Sequence, residues 1–86
     1  MIKLYIIHDA NRRNFTVVQG LPTNLDRMKI LRALKKTFQC GGSITSNSEF
    51  GEGELLLING DHRQDIFDFF VKYQICSKND FQMHGF

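Results

Sequence analysis

The 86-residue sequence predicts an α+β fold, a two-layer sandwich in which two helices cover one face of a five-stranded mixed sheet. Two segments repeat apolar residues at helical spacing, and five short segments are rich in β-branched or aromatic residues. Polar turns separate these segments in the order β-β-α-β-β-α-β. With 42% hydrophobic residues and eight phenylalanines, residues 1–86 are expected to form a single domain with one core.

The first two predicted strands form a hairpin with a basic loop. Residues 2–8 begin with alternating side chains, and residues 15–19 are again rich in residues that favour strands. The polar turn between them carries Arg12 and Arg13 side by side at its tip. A guanidinium group in this position can bind phosphate through two hydrogen bonds, although arginines in a turn also serve simply to keep it soluble.

The segment after Pro22 predicts a strongly two-faced helix. One arc of about 100° holds the apolar side chains Ile30, Leu31, Leu34 and Phe38. The opposite side presents the basic side chains Lys29, Arg32, Lys35 and Lys36. Thr23 is the expected N-cap with Asp26 at its N3 position, and Gly41-Gly42 is expected to end the helix. Solvated helix faces usually mix acidic with basic residues, whereas this face is almost purely basic.

Two strands, a second helix and a final strand follow. The strands are predicted at residues 43–48 and 54–59, and the second of them is nearly continuous in apolar residues, which is typical of an interior strand. Asp61 and Gln64 have the spacing of a capping box that opens a helix through about Ile75. Its predicted core arc comprises Ile66, Phe67, Phe70, Tyr73 and Gln74. A short strand at residues 81–86 completes the sheet.

Charge is distributed unevenly along the chain. Residues 1–40 contain eight basic and two acidic side chains, whereas residues 41–86 contain three basic and seven acidic ones. The first half therefore predicts an electropositive region for a polyanion, and the second half offers an acidic region to a basic partner. The six cations in the hairpin loop and on the first helix indicate nucleic-acid contact without distinguishing DNA from RNA. There is no zinc-finger spacing, leucine zipper or aromatic-rich RNA-binding strand, so direct reading of bases is not indicated.

Catalysis, cofactors and membrane insertion are not indicated by any motif. His8, His62 and His84 lie on three different elements and have no nucleophile or carboxylate at a recognisable spacing. The glycine-rich loop with Glu49, Glu52 and Glu54 is a candidate cation site, although it is more simply a solvated turn. Cys40 and Cys76 are expected to be reduced thiols. We therefore expect a cytoplasmic, or alternatively nuclear, monomer that is not an enzyme and needs no cofactor.

Four segments resemble the eukaryotic translation initiation factor one family. They lie at residues 15–21, 34–44, 60–63 and 84–86. The corresponding family patterns are a T-x-V-Q-G turn, a K-K-x-F-x-C-x-G helix end, a G-D-Q-R helix start and a terminal H-G-F. Since Met1 nearly begins the first strand, the sequence is similar to a divergent member without the family's N-terminal extension.

The resemblance implies a five-stranded sheet with two helices and a non-enzymatic protein. Such a factor binds the small ribosomal subunit near the peptidyl site, keeps the complex open for scanning and opposes initiation at wrong codons; contacts with other initiation factors are possible. Arg12 and Arg13 would approach ribosomal RNA, and the basic face of the first helix would contact the subunit. Asp61, His62 and Gly85 fall in regions that affect start-codon stringency, although His62 replaces the family's usual glutamine. Two alternatives remain, a ribosome-binding domain acting in reinitiation, recycling or host subversion, and a protein-interaction adaptor that uses the acidic half.

Overall fold

A computed structural model describes residues 1–46 and 53–83, and it contains the predicted sheet and both helices. The strands are β1 (Ile2–His8), β2 (Asn14–Gln19), β3 (Gly42–Thr45), β4 (Leu55–Asn59) and β5 (Phe81–Met83), and the helices are α1 (Arg27–Phe38) and α2 (Arg63–Lys72). The strands lie in the order β3-β4-β2-β1-β5. The β1–β5 pair is parallel and the other pairs are antiparallel, so the predicted mixed sheet and the element order are confirmed.

Both helices pack on one face of the sheet. The sheet register aligns Leu4 with Val18 and Val18 with Leu56, so these side chains project to the same side. All three are buried in one core cluster with α1 and α2. The helices contribute Ile30, Leu31, Leu34, Ile66 and Phe70. The core therefore lies between the two layers of the sandwich.

The opposite face of the sheet carries the side chains of the alternate rows. One row contains Tyr5, Val17 and Leu57, and the next contains Ile7, Phe15 and Asn59. Because successive side chains of a strand point to opposite faces, these rows project away from the helices. We call this surface the open face.

The ends of α1 differ from the prediction. Asp26 is the N-cap, because its carboxylate accepts a hydrogen bond from the Lys29 backbone N–H at 3.1 Å. Thr23 instead lies in a turn outside the helix. At the other end Gln39 adopts the left-handed conformation with φ 50°. The predicted cap at Gly41-Gly42 is therefore wrong, since Gly42 already pairs with Ile58 as the first residue of β3.

The prediction for the second helix is also wrong at both ends. The N-cap of α2 is His62, whose side chain makes no capping bond, and the Asp61 carboxylate binds Arg63 through its guanidinium and, at 3.4 Å, its backbone N–H. The helix ends at Lys72, and Gln74 then takes a left-handed φ of 55°. Tyr73 and Gln74 consequently leave the core arc, and Tyr73 is 59% exposed. The other predicted arc residues are buried as expected. Burial is complete at Ile66 and Phe70 and partial at Phe67.

The predicted strands agree with the structure in type and differ in length. β4 lies between β3 and β2, which confirms an interior strand. β3 is shorter than predicted within the described residues, and the rest of that predicted strand lies outside them. Residues 47–52, with Glu49 and Glu52, and residues 84–86, with His84 and Gly85, also lie outside the described residues.

Candidate nucleic-acid interface

Three connections of the chain meet at one end of the sheet. The β1–β2 loop, the α1–β3 connection and the β4–α2 turn all leave the sheet there, because β1 and β4 end where β2 and β3 begin. The Gly60 N–H donates to the Asn14 carbonyl at 2.8 Å, and the Asn59 N–H donates to the Gly41 carbonyl at 3.0 Å. These bonds tie the three connections together. We call this part of the protein the loop end.

Asp9 organises the β1–β2 loop. Its carboxylate accepts hydrogen bonds from the backbone N–H groups of Asn11 and Arg13, both at 2.9 Å, and from the Arg13 Nε at 2.7 Å. The backbone bond from Arg13 is the main reason why the pKa of Asp9 lies below its ordinary value. The same loop holds Arg12 in the left-handed conformation with φ 61°. The loop therefore has a defined shape before any ligand arrives.

The two loop arginines are presented differently. Arg13 is held by Asp9 and lies over the Phe15 ring, with its guanidinium carbon 5.8 Å from the ring centroid. Arg12 is exposed, and no hydrogen bond or ion pair engages its side chain within residues 1–46 and 53–83. Arg12 is therefore the more available cation, and Arg13 is the better oriented one.

The basic side of α1 is exposed as the sequence predicts, except at one position. Lys29, Arg32 and Lys36 are exposed, whereas Lys35 is half-buried at the flank of the helix. Lys35 and Lys36 occupy the last turn of α1 and so lie near the loop end. Lys29 lies seven residues before Lys36, which places it about 10 Å further along the helix. The cations thus form a stripe that runs from the first turn of α1 to the loop end.

Thr16 fixes the β4–α2 turn to the sheet. Its buried hydroxyl donates to the Gly60 carbonyl at 2.7 Å and accepts from the His62 backbone N–H at 2.8 Å. The His62 ring stacks on Phe38, with centroids 5.4 Å apart and planes inclined by 21°. Its Nδ1 lies 3.3 Å from an Asp65 carboxylate oxygen. His62 is therefore held by α1, β2 and its own helix together.

Asp61 and Arg63 form an ion pair beside this turn. The Arg63 guanidinium donates to the Asp61 carboxylate at 3.0 and 2.8 Å. This side-chain bond is the main reason why the pKa of Asp61 lies below its ordinary value, so the carboxylate stays ionised at neutral pH. The predicted capping box does not form, because the Gln64 side chain donates to Asp68 at 2.9 Å, while Asp61 pairs with Arg63. The turn therefore presents both signs of charge.

Sequence reasoning missed two residues of the loop end, Asp9 and Thr16. Asp9 stands at the start of a polar turn, a position where aspartate commonly binds the backbone two residues on, so its role had a visible signal. The bonds of Thr16 connect it to residues 44 and 46 positions later, and no local pattern reports such a contact.

Other kinds of site find little support in the described chain. Among residues 1–46 and 53–83, no group of three or more histidine, cysteine, aspartate or glutamate side chains could hold a metal ion. The same residues contain no helix long and apolar enough to cross a membrane. Both cysteines are free thiols, and burial raises the pKa of each.

The family follows from a comparison with known proteins. Residues 1–76 match the family model described as translation initiation factor SUI1. The chain belongs to the SUI1 family. This SUI1 chain is 39% identical over 85 residues to protein translation factor sui1 of Schizosaccharomyces pombe, covering 99% of this chain and 76% of the relative. It is 33% identical over 85 residues to human eukaryotic translation initiation factor 1, covering 99% and 74%.

A solved structure supports the fold of the SUI1 chain. The C-terminal domain of human eIF2D aligns with a TM-score of 0.74 over 98% of this chain and 41% of that one, at 19% sequence identity. The family resemblance read from four sequence segments is thus confirmed, and family membership supports a role as a translation initiation factor. The family is not an enzyme class.

Proposed function

We propose that this protein binds the small ribosomal subunit near the peptidyl site and promotes scanning and accurate start-codon selection. The observation that supports this most is the row of exposed cations on a SUI1 fold. Lys29, Arg32 and Lys36 face outward on α1, and the hairpin loop adds Arg12 and Arg13 at the end where the helix finishes. We expect the protein to act as a cytoplasmic monomer without a cofactor.

Ribosomal RNA is the expected ligand of this surface, because a surface of separate lysines and arginines attracts phosphate without requiring one sequence. Such contacts weaken as salt rises, since binding releases condensed counterions. A factor that must leave when the correct codon is found benefits from this kind of contact. Codon–anticodon pairing then displaces the factor if it stabilises a competing state of the complex by a few kcal/mol.

The β4–α2 turn is the proposed stringency element. Asp61 is held by Arg63, and His62 is held by Phe38 and Thr16, so both side chains have defined positions at the loop end. Because the turn is rigid and lies beside the arginine loop, a steric clash or a codon–anticodon mismatch at the turn would change how the whole basic surface sits on the subunit. Gly85 is assigned to the same role by resemblance alone.

Binding to isolated small ribosomal subunits across a salt series tests the basic surface. The variant Lys29→Glu with Arg32→Glu and Lys36→Glu removes three outward cations that are not in the core. Each phosphate contact contributes roughly 0.7–0.9 to the slope of log affinity against log salt, so the variant is expected to lose about 2–3 from that slope and most of its affinity.

A matched control carries the same change in net charge elsewhere. Lys3, Lys72 and Lys78 are exposed on β1, at the end of α2 and in the short helix Lys78–Asp80. Changing these three to glutamate should leave binding close to that of the parent protein. Circular-dichroism melts should match for all three proteins. Parent-like binding by the α1 variant would contradict the proposed contact surface.

Start-codon selection is tested by toeprinting on messages with near-cognate start codons. Adding the protein to a reconstituted initiation system is expected to reduce complexes at near-cognate codons more than at AUG. Full binding to the subunit without any change in codon discrimination would restrict the function to ribosome binding.

A further inference from the structure

An open pocket of about 420 Å³ lies at the loop end, where the open face of the sheet meets the arginine loop. It is lined by Arg13, Asn14, Phe15, Asn59 and Gly60. Its volume falls within the roughly 300–1,000 Å³ of small-ligand sites. The basic stripe of α1 does not line this pocket, so the pocket has a chemistry of its own.

The floor of the pocket is aromatic. Phe15 is half-buried and pairs with Ile7 on one side and Asn59 on the other, so its ring lies on the open face. An aromatic ring on an open sheet is the platform on which single-stranded RNA bases stack. The Arg13 guanidinium lies over this ring and is 69% exposed on its side chain, so a small outward movement would admit a planar base between the two.

Arg13 also keeps donors for a phosphate. Asp9 binds it through Nε, and within the described part of the chain no bond engages its two terminal nitrogens. Those nitrogens remain available to a phosphate when the side chain moves outward. The pocket can therefore hold a base and meet its phosphate from the same side.

One amide completes the lining. Asn59 pairs with Phe15 across β4 and β2 and is exposed, so its amide lies on the same face as the ring and offers both a donor and an acceptor to the edge of a base. The Asn59 side chain lies against the α1–β3 connection, where its Nδ2 would be 2.7 Å from a Cβ placed on Gly41. The side chain is thus confined on the side of β4 that faces β3.

We infer that this pocket binds one unpaired base of an RNA strand, stacked on Phe15, with Arg13 on its phosphate and the amide of Asn59 at its edge. The inference rests on the proposed function, because it names a further RNA contact of the same loop end. Sequence patterns did not indicate base contact because the lining comes from two strands that are far apart in the chain.

A pair of short RNA ligands tests the inference. One is a hexamer of stable abasic ribose phosphates that carries a single central adenine, and the other is the same hexamer without the base. The parent protein should prefer the base-bearing hexamer by about 5- to 100-fold, the range expected for one base stacked on an aromatic ring. Phe15→Leu should reduce that preference to near unity while leaving the affinity for the abasic hexamer unchanged.

Two further variants separate stacking from a loss of structure. Tyr73→Leu removes an exposed aromatic ring from the helix layer and should keep the preference. Asn59→Ala keeps the backbone bond to Gly41 and should lower the preference without lowering the melting temperature. In NMR spectra, the side-chain amide signals of Asn59 should shift with the base-bearing hexamer only.

The outcomes distinguish the pocket from the proposed function. Three results would overturn the proposed base-binding pocket: equal affinity of the parent for the two hexamers, a preference that survives Phe15→Leu, or no binding of either hexamer at millimolar RNA. The proposed function would then rest on salt-dependent subunit binding alone. A Phe15-dependent preference in a protein that does not bind subunits would support the pocket and overturn the proposed function.

Discussion

Replacing Thr16 by valine should destabilise the protein through the β4–α2 turn. Valine has nearly the same shape and also favours strands, so the substitution removes little except the hydroxyl. That hydroxyl is the partner of both the Gly60 carbonyl and the His62 N–H. Each polar group left without a partner costs about 1–3 kcal/mol. The Gly60 carbonyl and the His62 N–H are only partly buried, so the lower end of this range applies to each. The expected loss of stability is therefore about 2 kcal/mol in total.

Urea unfolding at pH 7 measures this effect, with Thr16→Ser as the matched control. Serine keeps the hydroxyl and loses one buried methyl group, which costs about 1 kcal/mol. With a urea dependence of roughly 1–3 kcal/mol per molar, the valine variant should unfold about 1 M earlier than the parent. The His62 amide should also exchange with solvent faster in the valine variant. A valine variant at least as stable as the serine variant would refute the assigned role of the hydroxyl.

Two further predictions concern acid stability and glycine packing. Asp9 and Asp61 have pKa values below their ordinary range in the folded protein, so each stabilises the fold above the pKa of the unfolded chain and loses this contribution as pH falls below about 4. The parent protein should therefore have a higher urea midpoint at pH 7 than at pH 3, and changing both residues to asparagine should make this difference smaller. An unchanged difference would contradict the stabilising role of the two carboxylates. Gly42→Ala should destabilise the protein by about 1–3 kcal/mol, because the new Cβ would lie 2.8 Å from the Leu57 carbonyl oxygen. In the control variant Gly41→Ala, the new Cβ would meet only the movable end of the Asn59 side chain. Thermal melts should therefore show a smaller loss of stability for Gly41→Ala than for Gly42→Ala. Equal losses would show that contact with the Leu57 backbone does not cause the destabilisation.

The elements of the fold are predictable because their signals are local. The apolar arc of α1 and the continuous apolar run of β4 each determine an element type within a dozen residues. Helix ends are less predictable, since several good capping residues compete. Thr23 and Asp26 are both suitable N-caps, and the choice of Asp26 depends on where the chain must leave the hairpin, which is a property of the whole fold.

The candidate site is predictable only in its charges. Arg12 and Arg13 can be recognised as a basic loop, and the outward side of α1 follows from its period. The position of His62 against Phe38 and the pairing of Asp61 with Arg63 depend on which connections meet at the loop end. Such contacts arise between elements distant in sequence, so spacing along the chain does not report them.

The parallel pairing of β1 with β5 has a consequence for how the protein folds. It aligns Ile2 with Phe81, whereas the neighbouring β1–β2 hairpin closes only a short loop. The entropic cost of closing a loop grows with its length, so β5 should join the sheet after the hairpin and after Phe67 and Phe70 of α2 are in place to receive Phe81. Until then the outer edge of β1 exposes unpaired backbone groups that can pair with another chain. In the described residues β5 covers the Ile2–Leu4 part of this edge, and we expect aggregation during slow refolding to begin at the edge before β5 pairs with it.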